Sequence, residues 1–415
     1  MSLDLDEPGR TARPAPTERP RVTGGQVATR RLVSAGLVLG VVGWALSRAL
    51  TPGAAVVNPG GIPLLGTLLA AIGDPATSAD FLRVVLDASL TTVVYAALGT
   101  AGALALGSVG ALVLSDAAWR HPPGRLLGAV RFALRAALVG ARSIHELIWA
   151  LLLVSVLGLD PLVAVLAIAI PFGAQTAKVF SEILDGVDRH PLEVLRSSGA
   201  RPLPAMAYAL VPPAAPLLLS YAFYRFECAI RSAVVLGVVG VGGLGQEMAL
   251  SLRSRNWDEV WTLVAAVVVL SAVVDAWSSR VRGDLAVVTC SDWSAGSGGR
   301  RGNSSPWARW SVAVAVPGLV VAWVVSGVSW SGLVSARTRE LTARLVDDLL
   351  PPALPPGGWG ELWGATLDTV SMAVLAMVLA VGVTLVVGPA ATRVRRMASD
   401  EHEPVWARAP RAVAR

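Results

Sequence analysis

Long apolar runs alternate with short Arg-rich segments along most of this chain of 415 residues. A helix needs about 20 apolar residues to cross the hydrocarbon core of a membrane. The candidate runs are residues 32–47, 88–115, 147–159, 162–177, 211–240, 261–274, 310–336 and 369–392. Gly158, Asp160 and Pro161 separate the third run from the fourth, which predicts two helices joined by a tight turn. The pattern predicts an all-α, polytopic transmembrane helical bundle of about six helices, followed by two more.

The Arg residues between the runs orient the predicted helices. Loops on the cytoplasmic side of a membrane are enriched in Lys and Arg. Segments rich in basic residues precede the first run and follow the second, fourth and sixth, at 10–31, 120–135, 178–201 and 280–282. By contrast, loop 51–79 has no positive charge, and acidic residues offset the two Arg residues of loop 247–260. Alternating sides through six helices then places every Arg-rich segment inside, which predicts a multi-pass plasma (inner) membrane protein with a cytoplasmic N-terminus.

Composition divides the chain into five predicted segments. Residues 1–31 are polar and Arg-rich, which predicts a disordered cytoplasmic tail rather than a signal peptide. Residues 281–307 contain a Gly/Ser-rich stretch that is typical of a flexible linker. The remaining segments are a first helical unit at 32–280, a partial second unit at 308–396, and a basic tail at 397–415.

A short repeat links the two predicted units. Residues 88–93 read Ala-Ser-Leu-Thr-Thr-Val, and residues 365–370 read Ala-Thr-Leu-Asp-Thr-Val. Each of the two helices ends at an Arg-rich segment. Internal duplication is common in transporters, so we interpret the last two helices as the opening of a second copy; the alternative is chance similarity between apolar helices.

The overall composition agrees with a membrane protein and argues against several other classes. Hydrophobic residues make up 54% of the chain and charged residues 15%, with a mean hydropathy of +0.60, whereas soluble domains carry about 25% charged residues. The net charge of +6 comes from Arg between apolar runs, which favours an orientation signal over nucleic-acid binding. Cys228 and Cys290 predict two unpaired thiols, and the four His residues lack metal-ligand spacing.

Enzyme chemistry is not expected in this chain, and no catalytic residue or metal ligand is assigned. Lys178 is the only lysine, so a phosphate-binding loop ending in Gly-Lys-Ser/Thr cannot be present. No clustered His/Asp or Ser/His arrangement falls within the apolar runs. No cofactor is expected in this chain, and any ATP hydrolysis must take place in a separate subunit.

The loop at residues 182–212 has the features of a short exposed helix. Pro191 suits a helix start because its missing amide hydrogen would be unpaired there anyway. Residues 192–198 can form the helix, and Gly199 is a natural C-terminal stop. Such a helix on the predicted inside can dock into a cleft of a soluble partner.

This loop resembles the coupling loop, or EAA motif, of ABC-type importer permeases. The family pattern is met by Glu193, Gly199, Ala209, Val211 and Pro212. Val194 and Leu195 replace the two usual alanines, and Ala209 and Val211 replace larger aliphatics, but all four positions stay apolar. The resemblance implies a type-1 permease fold and a cytoplasmic ABC ATPase dimer as partner, with ATP used by that partner. It assigns ATPase coupling to Pro191, Glu193, Gly199, Ala200 and Pro212.

A second resemblance narrows the substrate class. Residues 221–245, and residues 142–150 with His145 in place of the usual Pro, resemble the phosphonate-importer branch of these permeases. The resemblance covers about residues 80–280. It implies import of phosphonate or a related phosphorus oxyanion, an extracytoplasmic substrate-binding protein, and a second permease unit supplied by a homodimer or a partner chain in the lipid bilayer.

Three charged residues lie within the apolar run 211–240, where charges are costly and usually face a pathway or each other. Glu227 and Arg231 are four apart and can pair on one helix face, whereas Arg225 lies on another face. One hypothesis is that Arg225 or Arg231 attracts an anionic substrate while Glu227 keeps binding weak. The alternative is a structural Glu–Arg pair, or charges that lie at the membrane interface.

The glycines that follow match a dinucleotide-binding turn only superficially. Residues 240–245 read Gly-Val-Gly-Gly-Leu-Gly, but no βαβ pattern surrounds them. We expect them to allow a kink or close helix packing. By resemblance, Gly242 and Gly243 lie near the translocation path.

Other mechanisms stay open at this point. An ion-gradient-driven secondary transporter would need no ATPase partner, and a membrane-embedded enzyme would need a catalytic cluster. A truncated, non-functional permease is a further alternative, because the second unit shows no coupling loop of its own.

Overall fold

The computed structural model describes residues 24–50, 61–119, 124–291, 306–328, 330–351, 353 and 355–391. The regular structure of these residues is entirely helical, which confirms the predicted all-α class. The helices are α1 (Gly24–Ala49), α2 (Gly61–Ala70), α3 (Ala79–Leu114), α4 (Arg125–Ser143), α5 (Glu146–Leu157), α6 (Pro161–Gly186), α7 (His190–Ser197), α8 (Pro202–Ala209), α9 (Val211–Leu236), α10 (Leu244–Ser254), α11 (Trp257–Ser291), α12 (Pro306–Ser326), α13 (Ala336–Leu349) and α14 (Gly358–Ala391).

Five of these helices, α1, α3, α6, α11 and α14, are long and apolar enough to cross a membrane. Two bent pairs raise the number to seven if each is one span: α4 with α5, bent by 97°, and α8 with α9, bent by 69°. The seventh predicted run, 310–336, corresponds to α12, which is a shorter apolar helix. The predicted polytopic bundle is therefore present in the described part of the chain.

Several predicted boundaries differ from the structure. The run at 147–159 corresponds to α5, which has only 12 residues and is too short to cross a membrane alone. The Arg-rich segment before it, taken from the sequence as a loop, forms the 19-residue helix α4. The run at 310–336 does not form one helix, because α12 ends at Ser326 and a 3₁₀ turn, Trp330–Val334, follows.

The predicted turn between the third and fourth runs is confirmed. The carboxylate of Asp160 accepts a hydrogen bond from the Leu162 amide at 2.8 Å and so caps α6, with Pro161 in the first turn. At the start of α5, the His145 ring accepts a hydrogen bond from the Leu147 amide at 3.2 Å. His145, which replaces the usual Pro of the phosphonate branch, thus serves as an N-cap.

Residues 60–351 form one compact unit. Its centre is the crossing of α3 and α6, where small residues allow close approach. Ala96 and Ala103 on α3 are fully buried, and an added Cβ at Gly99 would lie 2.8 Å from the Cβ of Ile168 on α6. Helices α9, α10 and α11 pack around this pair, and α9 carries Arg225, Glu227 and Arg231.

The second unit contains the residues before 60 and after 351. Within it, α1 packs along α14. The Arg48 guanidinium donates hydrogen bonds to the Asp368 carboxylate at 2.5 Å and to the Gly364 carbonyl oxygen at 3.2 Å. The sequence division had placed these two helices in different units. The predicted tails and most of the predicted linker, at 1–23, 292–305 and 392–415, lie outside the described residues.

Candidate functional site

Helix α7 is a short helix with a defined start and stop. Pro191 lies in its first turn, as predicted. Gly199 has φ of +88°, in the left-handed region that favours glycine. The Gly199 amide donates to the Arg196 carbonyl oxygen at 3.2 Å, and the Ala200 amide donates to the Leu195 carbonyl oxygen at 3.1 Å. These two bonds form a Schellman motif, which confirms Gly199 as the helix stop.

One side of α7 is anchored to the bundle. Leu192 is only 1% exposed and packs with Phe180, Leu184, Met206 and Leu210. A rigid hydrophobic contact of this kind transmits displacement, because packed interiors have little free space. A displacement of α7 would therefore be transmitted to the end of α6 and the start of α9.

Polar bonds tie the same loop to the end of α3. Arg196 donates to the Ala117 carbonyl oxygen at 2.6 Å. Asp185, at the end of α6, accepts hydrogen bonds from the Ser115 hydroxyl at 2.8 Å and from the amides of Asp116 and Ala117 at 3.1 and 2.9 Å. Asp185 thus satisfies amides of the turn that follows α3, and it links the end of α6 to the end of α3.

The end of α3 is also capped from α4. Arg131 donates to the carbonyl oxygens of Val113 and Leu114, at 3.1 and 2.7 Å, and Arg135 donates to Leu114 at 3.0 Å. Cations at a helix C-terminus are stabilising because they face the unpaired carbonyls. The hydrogen bond from Arg131, at 2.7 Å, lowers the pKa of the neighbouring Asp116 carboxyl below its ordinary value of 3.8.

The other side of α7 is open to solvent. Glu193 is exposed, and its side chain makes no hydrogen bond or ion pair with any residue that the structure describes. Val194, beside it, is 52% exposed. The outward face therefore combines a free carboxylate with an apolar side chain, a suitable surface for docking.

Pro212 lies in the first turn of α9, where α8 and α9 bend by 69°. Proline suits this position because the first helical amides have no partner within the helix. Of the five residues assigned to the coupling loop, the structure places Pro191, Glu193, Gly199 and Ala200 at α7 and Pro212 at this bend.

Arg225 on α9 is buried between α9 and α6. It is 5% exposed, and its Nε donates to the Tyr221 hydroxyl at 2.7 Å. Its guanidinium lies 5.0 Å from the ring centroids of Phe172 and Tyr221 and 5.8 Å from that of Tyr224. No carboxylate of the described residues lies within 4.0 Å of it. Aromatic faces attract a cation through their quadrupole, so these rings stabilise the buried guanidinium.

Arg231 and Glu227 have a different arrangement. Their side chains form an ion pair four residues apart on α9, with Arg231 63% and Glu227 13% exposed at the side chain. The predicted pairing is therefore confirmed, and the positive charge of Arg231 is matched. Of the two arginines considered for anion attraction, only Arg225 has a charge that no described carboxylate balances.

The glycines at 240–243 break the helix rather than continue it. A single π turn, Gly237–Val241, follows α9, and Gly240, Gly242 and Gly243 all have positive φ. An added Cβ at Gly243 would lie 2.6 Å from Thr92 Oγ1. That oxygen accepts a hydrogen bond from the Leu244 amide at 3.0 Å. Thr92 of α3 therefore caps the start of α10.

Sequence reasoning missed Asp185, Arg196, Thr92 and the aromatic partners of Arg225. The missing information was spatial, since the contacts of Asp185, Arg196 and Thr92, and the contact of Arg225 with Phe172, join residues from different helices. One usable signal was present: Tyr221 lies one turn from Arg225 on the same face of α9.

The model of the family "Binding-protein-dependent transport system inner membrane component" matches residues 125–282. A phosphite transport system permease protein of Stutzerimonas stutzeri is 34% identical over 148 residues, 36% of this chain and 54% of that protein. A putative cryptic phosphonate transport system permease protein of Escherichia coli K12 is 34% identical over 117 residues, 28% of this chain and 96% of that protein.

The chain spans about half the length of several curated relatives that it matches, including the phosphite permease protein. Among solved structures, an inward-facing methionine ABC transporter is 17% identical with a TM-score of 0.44, covering 50% of this chain and 99% of that one. An amino acid ABC transporter is 18% identical with a TM-score of 0.40, at the same coverage.

Proposed function

Because the chain belongs to the family of binding-protein-dependent transport system inner membrane components, we propose that it is the membrane-spanning permease subunit of an ATP-driven importer. In this proposal, residues 182–212 couple the closure of a cytoplasmic ABC ATPase dimer to substrate translocation. The observation that carries it is the geometry of α7, which is anchored on one side and open on the other.

The proposed coupling step uses contacts within the chain. The ATPase would hold the outward face of α7 around Glu193 and Val194. Displacement of α7 would pass through Leu192 to the ends of α6 and α9, and through Arg196 and Asp185 to the end of α3. ATP hydrolysis would supply the energy in the partner, since a chain whose only lysine is Lys178 has no phosphate-binding loop.

The proposed substrate is phosphite, phosphonate or a related phosphorus oxyanion. The names of the similar permeases support this class, and so does Arg225, a buried cation with spare N–H groups. A guanidinium matches the geometry of two phosphorus-bound oxygens. In this proposal Arg225 attracts the anion, and Gly242 and Gly243 lie near the translocation path.

The complete transporter would contain further partners. These are an extracytoplasmic substrate-binding protein and a second permease unit, from a homodimer or another chain. The Arg-rich segments on the α7 side support a cytoplasmic N-terminus for this inner membrane protein.

Co-purification with the genomically adjacent ATPase tests this proposal. The full chain is compared with Gly199→Val, Gly199→Asn and the control Gly158→Val. Gly158 also has positive φ and no atom within 4 Å of an added Cβ, but it lies outside the loop, between α5 and α6. We expect Gly199→Val to lose the ATPase, and Gly199→Asn to retain it because Asn tolerates the left-handed conformation.

The control should retain the ATPase if its variant still folds. Loss of binding in Gly158→Val at normal folded-protein levels would show that any positive-φ substitution disturbs binding. If the unmodified chain is folded in the membrane and never retains an ATPase, the coupling proposal is wrong.

A further inference from the structure

A cavity of 340 Å³ lies where α3 and α6 end against α4. Its wall is apolar along Leu114, Leu138 and Val139. Three cations, Arg135, Arg142 and Lys178, line the same cavity. None of these residues belongs to the outward face of α7 or to the surroundings of Arg225, so the proposed coupling and substrate roles do not account for the cavity.

The acidic residues of the cavity do not neutralise all three cations. Asp185 accepts bonds from Ser115, two backbone amides and Arg189, so its charge is already matched. Glu182 lies 3.6 Å from Lys178 and matches that charge. Arg142 has no carboxylate within 4.0 Å among the residues that the structure describes. The cavity thus offers positive charge beside an apolar wall, which suits an amphiphilic anion.

The position of the cavity matches the edge of a membrane. Leu114 is the last residue of one candidate span, and Asp185 is next to the end of another. Helix α4 turns by 97° from α5, so it runs nearly parallel to the membrane surface if α5 stands upright. Leu126 and Phe132, on other faces of α4, are 83% and 73% exposed. A helix with Arg on one face and exposed apolar residues on others is typical of the membrane interface.

We infer that this cavity binds the phosphate group of an anionic phospholipid. Arg142, with Arg135 and Lys178, faces the phosphate, and an acyl chain lies along Leu138 and Val139. Basic cavities between membrane helices bind anionic headgroups in this way. Free phosphate shares the charge chemistry, but it leaves the apolar wall exposed to water, which favours the lipid.

The lipid site touches the cluster that holds the α7 loop. Asp185 lines the cavity, and its carboxylate also accepts hydrogen bonds from the backbone amides of the turn after α3. A bound lipid would therefore stabilise the ends of α3 and α6, which hold the α7 loop. This consequence rests on the proposed coupling role; the lipid site itself does not.

Native mass spectrometry of the full-length protein in detergent tests the inference, with phosphatidylglycerol and phosphatidylcholine as probes. The variants are Arg142→Gln, the double variant Arg142→Gln/Lys178→Gln, and the control Arg253→Gln, an exposed Arg at the end of α10. We expect phosphatidylglycerol binding to fall about tenfold in the double variant, less in the single variant, and not at all in the control. Phosphatidylcholine should bind weakly throughout.

A second variant separates the lipid from free phosphate. Leu138→Asn leaves every cation in place and should weaken phosphatidylglycerol binding severalfold, while inorganic phosphate in excess should not displace the lipid. Equal phosphatidylglycerol binding in all variants would overturn the inference. If inorganic phosphate displaces phosphatidylglycerol, and if Leu138→Asn binds phosphatidylglycerol as well as the unmodified protein does, the cavity is a site for a soluble oxyanion. That result would also overturn the inference.

Discussion

Helices α3 and α14 carry the same short pattern at residues 88–93 and 365–370, but their surroundings differ. In α3, Thr92, Ala96, Gly99 and Ala103 are all buried, against α6 and the start of α10. The corresponding positions of α14 are Thr369, Ala373, Ala376 and Ala380, and all are exposed. The pattern of small residues is kept, whereas α14 has no packed helix over that face among the described residues.

The difference lies in which helix packs over the face of small residues. Small residues in α3 allow α6 to approach closely, and α6 carries Asp185 and the aromatic ring of Phe172 toward the α7 loop and Arg225. Helix α14 instead packs along α1 through its other face, at Gly364, Asp368 and Ser371. The same local sequence is therefore buried in one helix and exposed in the other, depending on the helices that cover it.

The largest expected difference between the two helices comes from overpacking. Gly99→Leu would place a side chain on Ile168, which is already 2.8 Å from an added Cβ, and should cost about 1–3 kcal/mol or more of stability. Ala376→Leu at the matching exposed position should cost almost nothing. Thermal unfolding in detergent measures both. Equal stability of the two variants would mean that α3 and α6 are not packed as described.

Buried charge gives the next comparison, between the two units. Arg225→Gln removes the unmatched cation and should lower uptake of phosphorus oxyanions at least about tenfold, given the strength of charged hydrogen bonds. Arg48→Gln, in the unit of α1 and α14, breaks a half-exposed ion pair and should leave uptake nearly unchanged. Arg225→Lys should not restore uptake, since a lysine cannot reproduce the planar donor geometry.

Uptake is measured at matched levels of folded protein in the membrane. If Arg225→Gln removes the folded protein as well, Arg225 is structural. Tyr221→Phe is then the second variant, because it removes only the hydroxyl that accepts a hydrogen bond from the Arg225 guanidinium. Uptake by this variant is measured in the same way.

The matching threonines give a smaller effect. Thr92→Val leaves the buried Leu244 amide without its acceptor at 3.0 Å, which should cost about 1–2 kcal/mol. Thr369 is exposed and donates to the Ala365 carbonyl oxygen of its own helix, so Thr369→Val should be close to neutral. Thermal unfolding in detergent measures the stability of both variants. If Thr92→Val is as stable as the unmodified protein, Thr92 does not cap α10.

The smallest effect concerns acid sensitivity at the end of α3. Arg131 lowers the pKa of Asp116 in the folded protein below its ordinary value of 3.8. The ion pair therefore contributes its full stability above the pKa of the unfolded chain, and this contribution is lost as pH falls through the pKa of the folded protein. Because Asp116 is 67% exposed at the side chain, solvent screening keeps this contribution small. Asp116→Asn should therefore flatten the profile of unfolding free energy against pH below about pH 4.

Local sequence signals predicted the features that depend on a few adjacent residues. Asp160 and Pro161 marked the start of α6, and Pro191 and Gly199 marked the limits of α7, because caps and stops act within one turn. The pairing of Glu227 with Arg231 followed from helix periodicity in the same way.

Features that depend on distant residues could not be predicted from one sequence. Helix α4 was mistaken for a loop because its Arg residues resemble an orientation signal, although they bind the carbonyls at the end of α3. The packing of α1 along α14 joins residues more than 300 apart. The aromatic surroundings of Arg225 also required the structure, since Phe172 comes from another helix.

Uptake by the reconstituted transporter tests the central claim most directly. The chain is placed in liposomes with the adjacent ATPase, the binding protein and any partner permease, and labelled phosphite is added outside. The account predicts uptake that requires ATP on the ATPase side, persists when ion gradients are collapsed, and is lost with Gly199→Val but not with Gly199→Asn. Uptake driven by an ion gradient without ATP would contradict it.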